Sequence, residues 1–144
     1  MKEADPRMHS AEHLLTGALA KLFGMGRPFT THLEKKKSKA DYRFARLLTE
    51  EEAGRVEALV NEQIGLDLPV QEEFLARREA EQQFNLSRLP DDVGEIVRII
   101  RIGDFDVCPC AGAHVATTKD IGRFRLTSWS FEEDALRVRF RLEP

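Results

Sequence analysis

The sequence has few cysteines, and the two that it has are poorly placed for a disulfide. Cys108 and Cys110 are separated only by Pro109. A disulfide across so short a loop is strained, and reducing compartments disfavour disulfides in general. We therefore interpret the two thiols as a metal ligand and its neighbour.

The sequence also lacks long apolar runs and an excess of positive charge. No segment approaches the roughly 20 apolar residues of a membrane span, and MKEADPRMHSAEHLL lacks the apolar core of a signal peptide. The formal net charge of −3 at pH 7 argues against binding nucleic acid through a broadly basic face. We therefore expect a cytoplasmic protein with no membrane partner, in which any RNA contact is local.

The chain has no internal repeat, low-complexity tract or linker-like boundary, so we predict a single domain over residues 1–144. Apolar residues at helical spacing predict a helix over His9–Phe23, ended by Gly24. A second helix is predicted to begin after Thr49, with Glu52 completing a capping box, and to stop at Gly65.

The rest of the chain is mostly strand-like, apart from a short helix predicted over Leu75–Phe84. The predicted strands are Phe29–Leu33, Asp41–Leu48, Pro69–Phe74 and Glu95–Val107, followed by a pair within Arg123–Leu142 around a turn near Glu132 to Asp134. The segment Glu95–Val107 is either one strand or two strands with a kink at Gly103. This order of elements predicts an α+β domain with a largely antiparallel sheet packed on helices.

Four candidate metal donors form two pairs with the same spacing. His9 and His13 are four residues apart and therefore lie on one face of the first helix. Cys110 and His114 are also four apart, in a glycine-containing turn after a strand. A single histidine or cysteine is more often a packed or surface residue. Two such pairs instead predict a site for one Zn²⁺ per chain, with these four residues as its ligands.

The segments HSAEHLL and CAGAHVATTKDIGRFRL resemble the HxxxH and CxxxH motifs of the editing (second additional) domain of alanyl- and threonyl-tRNA synthetases. The resemblance covers nearly the whole chain and is greatest to the short free-standing alanyl-tRNA editing proteins of the AlaX type. Larger relatives usually have threonine where this chain has Ala113. Cys108 is a further departure, and it either competes for the metal or lies outside its shell.

The resemblance implies a trans-editing hydrolase, a zinc-dependent aminoacyl-tRNA deacylase whose partner is mischarged tRNA(Ala), with Ser-tRNA(Ala) as the expected substrate. It also aligns Thr30 with a pocket threonine that recognises serine, and it makes Thr31 and His32 candidate substrate-binding neighbours. Without the alignment, the threonines would be explained by β-propensity and His32 by solvent exposure. No catalytic general base is assigned.

Two other interpretations remain open at this point. HSAEH is also an H-x-x-E-H motif, in which Glu12 would be the general base of a zinc peptidase, but that class leaves Cys110 and His114 unexplained. Alternatively, the zinc is structural and the domain binds aminoacyl-tRNA or a synthetase without hydrolysis.

Several polar residues near these motifs have both a functional and an ordinary explanation. Lys35–Lys37 and Lys39, with Arg43 and Arg46 nearby, are the best candidates for a local RNA contact, although a solvated loop is the simpler explanation. Asp106 or Asp104 could orient a ligand imidazole, while Asp104 also suits a turn. For Trp129, core packing is expected.

Overall fold

The computed structural model describes residues 5–86 and 94–143. Within these ranges the helices and strands follow in the order α1 Pro6–Phe23, β1 Thr30–Leu33, β2 Ser38–Arg43, α2 Glu50–Gly65, β3 Val70–Ala76, α3 Arg77–Gln83, β4 Ile96–Ile102, β5 Asp106–Pro109, a 3₁₀ helix at Thr118–Ile121, β6 Arg123–Glu132 and β7 Ala135–Glu143. All of the strand pairs are antiparallel. The predicted α+β class is therefore confirmed.

The strands form two sheets where the sequence suggested one. The larger sheet has the order β1-β2-β7-β6, and the smaller one has the order β3-β4-β5. Leu136, Val138 and Phe140 of β7 are fully buried, so the intervening residues of that strand face the opposite side of the larger sheet. Helix α2 packs on β6 and α1, and α1 also contacts β5 and the 3₁₀ helix. Helix α1 therefore lies where it can contribute to a site with the loop after β5.

Helix α1 begins at Pro6, earlier than predicted, because Asp5 caps it. The Asp5 carboxylate accepts hydrogen bonds from the backbone N–H groups of Arg7 and Met8 at 3.0 and 3.2 Å, and proline suits a first helical turn. The helix ends at Gly24, whose φ of 69° is left-handed as expected of a C-terminal cap. Its apolar stripe is buried, which fixes the rotation of the helix and hence the direction of the two histidines.

The predicted capping box of α2 is confirmed. Glu52 N donates to Thr49 Oγ1 at 3.1 Å, and Thr49 N donates to Glu52 Oε1 at 2.9 Å. Gly65 is the last helical residue and not the residue that turns the chain, since the positive φ falls at Asp67. No helix within the described ranges is long and apolar enough to span a membrane.

The prediction of a strand over Asp41–Leu48 was wrong beyond Arg43. Strand β2 pairs with β7, and Arg43 is already opposite Ala135, the first residue of that strand. In the described part of the structure no strand pairs with the chain beyond this point, and Phe44 N donates to Asp134 O in the β6–β7 turn. The 3₁₀ helix was not predicted, since it is too short to show a period.

Other boundaries differ from the predictions by a few residues. Strand β1 begins at Thr30 instead of Phe29, and the change from β3 to α3 occurs at Arg77 instead of Leu75. The alternative of two strands over Glu95–Val107 is correct, because Gly103 adopts φ 53° in the turn between β4 and β5.

Candidate metal centre

Two of the candidate ligands come from α1. His9 and His13 project from the same side of the helix, with their ring centroids 5.0 Å apart. His13 is buried, whereas His9 keeps partial exposure. The first helical turns therefore supply one buried and one more accessible imidazole.

The other two come from the loop that follows β5. Cys110 N donates to Arg98 O of β4 at 3.1 Å, which continues the β4–β5 pairing to the ligand residue. The Arg98 guanidinium also donates to Cys110 O at 3.2 Å and to Gly112 O at 2.6 Å. One arginine thus holds the backbone on both sides of the turn that presents Cys110 and His114.

The structure brings the four predicted ligands together. One donor atom from each of His9, His13, Cys110 and His114 lies within 4.8 Å of the others. Cys110 Sγ is 3.2 Å from His9 Nε2 and 3.4 Å from His114 Nε2. These residues could hold a metal ion between a helix and a loop about a hundred residues away in sequence.

The second ring nitrogen of each histidine is engaged by the protein. His9 Nδ1 is 3.1 Å from Ala113 O, a carbonyl that only accepts, so Nδ1 carries the proton. His13 Nδ1 is 3.1 Å from the Asp106 carboxylate. His114 Nδ1 is 2.9 Å from Ser10 Oγ. Because Nδ1 of each ring is engaged by the protein, Nε2 is the nitrogen that a metal would bind.

The protonation states at the loop also favour a metal. Burial raises the pKa of the Cys110 thiol, but hydrogen bonds from His114, His13 and His9 outweigh it and lower that pKa to about 3. Burial lowers the pKa of His114 to about 4. A thiolate and a neutral imidazole are the forms that ligate metals. His13 differs: burial lowers its pKa, but hydrogen bonds to Asp106 and the two thiols outweigh it and raise the pKa well above its usual range, so a metal would displace a proton from this ring.

Asp106 connects the centre to the loop after α1. Its carboxylate contacts His13 on one side and receives two hydrogen bonds from Arg27 on the other, at 2.9 and 3.2 Å. Burial raises the pKa of Asp106, but the bonds from His13 and Arg27 outweigh it and lower that pKa. This geometry agrees with the expectation that Asp106 orients a ligand imidazole. Asp104 is exposed, in the β4–β5 turn.

Cys108 contacts the Nδ1 side of the His13 ring and is not a member of the four-donor group. Its Sγ is 3.5 Å from His13 Nδ1 and 3.9 Å from Asp106 Oδ2, and the three residues form a second, fully buried group of potential ligands. Because His13 Nδ1 contacts Cys108 and Asp106, Nε2 is the nitrogen of this ring that is left for the four-donor group. Cys108 is thus placed outside the shell expected for the first site.

Comparison with known proteins relates the chain to a domain of aminoacyl-tRNA synthetases. The model of the threonyl and alanyl tRNA synthetase second additional domain matches residues 97–139, which include Cys110 and His114. Alanine–tRNA ligase of Idiomarina loihiensis is 37% identical over 128 residues, covering 88% of this chain, and that of Petrotoga mobilis is 31% identical over 137 residues, covering 94%. The chain is an editing-domain-like relative of alanine–tRNA ligase. It spans only 15% and 16% of the lengths of these two relatives.

In this editing-domain-like protein, Glu12 faces the core and not the metal donors. It is 7% exposed, and its Oε2 accepts a hydrogen bond at 3.0 Å from Thr16 Oγ1, which is 2.8 Å from the Tyr42 hydroxyl. Burial, with the nearby Glu12 charge, raises the pKa of Tyr42 well above its usual range. Glu12 is thereby engaged in a buried polar chain between α1 and β2, which argues against its acting as a peptidase base.

The three candidate substrate-binding residues form β1, at the edge of the larger sheet. Thr31 pairs with the fully buried Ala40, and therefore faces the core side. Thr30 and His32 share the other face, as strand alternation predicted. Within the described ranges, none of the three side chains hydrogen-bonds to a candidate metal ligand. Their role in substrate binding stays a prediction.

The basic residues suggested for RNA are not equivalent in the structure. Lys35–Lys37 lie exposed in the turn between β1 and β2. Arg43 lies 4.0 Å over the Phe29 ring, and Arg46 makes two hydrogen bonds to Glu52 at 2.7 and 2.8 Å. Lys39 remains as a strand residue without an ion pair within the part of the chain that the structure describes.

Sequence reasoning missed the residues that hold the ligands in place. Ser10, directly after His9, is a fully buried polar residue that contacts His114 and accepts a hydrogen bond from Val115 N at 3.2 Å. Arg27 acts from the loop after α1, and Arg98 acts from β4, so both lie outside the two motifs. A buried serine on the apolar side of a helix is a signal that could have been noticed, whereas the two arginines had none. Trp129 packs on the core as expected, and its Nε1 donates to Leu48 O at 2.8 Å.

Proposed function

We propose that the chain is a zinc-dependent deacylase that hydrolyses the ester of serine misattached to tRNA(Ala), acting in trans in the cytoplasm. The observation that carries the proposal is the grouping of one donor atom from each of His9, His13, Cys110 and His114 within 4.8 Å, with Cys110 Sγ in contact with His9 Nε2 and His114 Nε2. It is combined with the relationship to alanine–tRNA ligase.

The donor spacing supports zinc. Zinc–nitrogen and zinc–sulfur bonds in a tetrahedral site place the two donor atoms about 3.5 Å apart. The Cys110 Sγ to Nε2 distances of 3.2 and 3.4 Å, to His9 and His114, are close to this separation. Two or three imidazoles with one thiolate are also a ligand type that zinc accepts.

Access to the donors favours catalysis over a structural role. A structural zinc is enclosed by four protein ligands, whereas a catalytic site keeps or opens a position. His9, Cys110 and His114 are each only partly buried, and His13 alone is fully enclosed. Three of the four candidate ligands thus keep partial solvent exposure, which leaves room for access from the side of His9 and the loop.

In the proposed reaction, bound zinc would lower the pKa of a water, polarise the ester carbonyl or anchor the serine. The chain's own contribution is orientation. Asp106, Ser10 and the Ala113 carbonyl hold the three rings, and Arg98 holds the loop. No described side chain is assigned as general base, since Glu12 is engaged with Thr16.

The test is metal content together with deacylation. Purified protein should contain about one zinc per chain and should hydrolyse Ser-tRNA(Ala). Chelation of the metal should abolish the hydrolysis while the circular dichroism spectrum remains that of the folded protein. His9→Ala with His13→Ala should lose both zinc and activity. Cys108→Ser is the matched control, because it removes a nearby thiol outside the four-donor group, and it should keep both.

Each outcome is decisive for a separate part of the proposal. Full zinc content in the double variant would refute the ligand assignment. Stoichiometric zinc without hydrolysis of Ser-tRNA(Ala) would refute the deacylase and favour a non-catalytic aminoacyl-tRNA-binding module.

Selectivity for serine is assigned to a hydroxyl on β1. A pocket that hydrogen-bonds the serine hydroxyl discriminates against alanine, because its polar group is left unpaired by a methyl group. Thr30 is the aligned residue, and Thr31 is the neighbour on the core side of the strand. Thr30→Val should raise the transition-state free energy for hydrolysis of Ser-tRNA(Ala) by about 1–3 kcal/mol. The rate of hydrolysis of Ala-tRNA(Ala) should stay the same or rise.

Thr31→Val is the paired variant for this prediction. The measured quantity is the ratio of kcat/KM for the two substrates, and thermal unfolding checks the fold. An equal fall for both substrates in Thr30→Val would mean that Thr30 supports the strand and does not bind the hydroxyl. A changed ratio in Thr31→Val alone would transfer the role to the core-facing threonine.

A further inference from the structure

A transverse row of polar residues crosses the outer face of the larger sheet. The pairing register places His32 opposite Lys39, Lys39 opposite Arg139, and Arg139 opposite Ser128. These four residues, here called the cationic row, come from β1, β2, β7 and β6. Directly paired residues project to the same face, and the buried Val138 and Phe140 flank Arg139 on β7, so this is the face turned away from the core.

The neighbouring row of the same sheet has its charges neutralised. There Thr30 is opposite Asp41, which is opposite Arg137. Arg137 donates two hydrogen bonds to the Asp41 carboxylate, at 2.8 and 3.1 Å. This row shows what a balanced cross-strand pair looks like in this fold.

The cationic row has no such balance. Lys39 and Arg139 are directly opposite one another, and within the described ranges neither forms an ion pair with a carboxylate. Arg139 Nη1 donates only to a neutral partner, Ser128 Oγ, at 3.3 Å. Like charges directly opposite on a sheet are destabilising. A bound anion would remove that repulsion.

A surface depression of about 340 Å³ lies over this part of the row. It is lined by His32, Glu34, Lys37, Ser38, Lys39 and Arg139. Three of these side chains are cations and one is a carboxylate, so the depression is positive although the chain as a whole is acidic. An anionic partner is therefore the complementary one.

The number of cations favours a polyanion. Lys39 and Arg139 lie on neighbouring strands about 4.8 Å apart, and Lys37 adds a third cation to the same depression. Consecutive phosphates of a nucleic acid strand could contact Lys39 and Arg139 together, with Lys37 adding a contact at the turn. Arginine and lysine are also the residues that bind phosphates in such contacts.

We propose that the cationic row, with Lys37, binds the phosphodiester backbone of the RNA substrate. The identity of the RNA as tRNA rests on the proposed function. Arg43 and Arg46 are left out of this surface because the first lies over the Phe29 ring and the second is hydrogen-bonded to Glu52.

The experiment measures binding of uncharged tRNA(Ala) by fluorescence anisotropy over a range of salt concentrations. Lys39→Gln with Arg139→Gln should weaken binding by about tenfold or more at moderate salt, and should reduce the slope of log K against log salt by about 1.4–1.8. Arg55→Gln, which removes an exposed cation of α2, is the matched control and should change neither quantity.

Thermal unfolding gives a second readout. Removing the like-charge pair should leave the double variant at least as stable as the wild type, so a loss of RNA binding is not explained by unfolding. tRNA should raise the Tm of the wild type more than that of the variant.

An unchanged salt slope in the double variant would overturn the proposal, and so would stabilisation by inorganic phosphate with none by tRNA. Deacylation of Ser-tRNA(Ala) by the wild type is measured in parallel. If the wild type does not hydrolyse Ser-tRNA(Ala) but the double variant has a smaller salt slope, the proposed function is refuted and the RNA-binding surface is supported. If the wild type hydrolyses Ser-tRNA(Ala) but the double variant has an unchanged salt slope, the proposed function is supported and the RNA-binding surface is refuted.

Discussion

Asp106→Asn tests whether the carboxylate beside His13 tunes the metal centre. The substitution keeps the size of the side chain and an oxygen that can accept a hydrogen bond from His13 Nδ1–H, but it removes the charge. Asp106 is 8% exposed and is shared between His13 at 3.1 Å and Arg27 at 2.9 Å. One change therefore affects both the orientation of a candidate ligand and a mostly buried ion pair.

The effect on metal affinity follows from the role of such a partner. Loss of a carboxylate that orients a ligand histidine typically lowers metal affinity by about 10- to 100-fold, or about 1.4–2.7 kcal/mol. We expect the Asp106→Asn variant to be near the lower value, because an amide oxygen still accepts from Nδ1. Asp106→Ala, which removes the acceptor as well, should be near the upper value.

The effect on folding is separate. Breaking a buried ion pair from one side costs about 3–5 kcal/mol, but the Arg27 side chain is 37% exposed and water can compensate for part of the loss. We therefore expect a fall of about 1–3 kcal/mol in the free energy of unfolding of the metal-free protein. Arg27→Gln should share this loss of stability while keeping more of the metal affinity, since it leaves the contact with His13.

The pH dependence provides a further check with a definite sign. The pKa of Asp106 is lowered in the folded state, so its contribution to stability is present above its unfolded pKa of about 3.9 and is lost as pH falls through the lower folded value. The Asn variant should lose less stability on acidification.

Zinc titration against a competing chelator measures the affinity, and denaturant unfolding of the metal-free protein measures the stability. Equal metal affinity in Asp106→Asn, Asp106→Ala and wild type would refute the reasoning. A fall in affinity for Arg27→Gln as large as for Asp106→Ala would also contradict it, because the effect would then come from the fold and not from His13.

Two further predictions concern a close contact and a helix cap. A Cβ on Gly112 would overlap the His9 ring, so Gly112→Ala should lower zinc affinity by about tenfold or more. The control is Gly54→Ala, because a Cβ at Gly54 meets open space. This variant should leave zinc affinity unchanged and stabilise α2 slightly. Unchanged zinc affinity in Gly112→Ala would contradict the packing of this loop. Hydrogen bonds from Arg46 and Thr49 lower the pKa of Glu52 to about 2, so its contribution is present above about pH 4.3 and is lost toward pH 2. The Tm of Glu52→Gln should therefore fall less than that of wild type between these pH values, and parallel Tm curves would show that the capping box is not responsible.

The local parts of the fold could be predicted because they depend on short sequence patterns. The capping box of α2 and the left-handed cap at Gly24 each follow from a few neighbouring residues. The four donors could be predicted for a similar reason, since each pair is fixed by spacing within one element. Strand β2 could not, because where it ends depends on where its partner β7 begins.

The support around the donors could not be predicted, because it depends on contacts between distant elements. Ser10 reaches His114 only after α1 has docked beside the loop, and Arg98 reaches Gly112 O only through the register of β4 with β5. The cationic row has the same origin: His32, Lys39 and Arg139 are unremarkable in the sequence and become neighbours through two strand registers.

These contacts also bear on how metal binding is coupled to folding. In a small zinc domain, the free energy of metal binding is largely folding free energy, because the ligands are not assembled without the metal. Here α1 is held by a buried apolar stripe, and the loop is held by Arg98 and by Val115 N bonding to Ser10. Each half of the site is thus positioned by interactions that do not involve a metal. Because the ligands need little rearrangement, little of the metal-binding free energy is used to assemble them, and the metal affinity is correspondingly higher. The fold also does not depend on a metal enclosed on every side, so one side of the site can be left to a substrate.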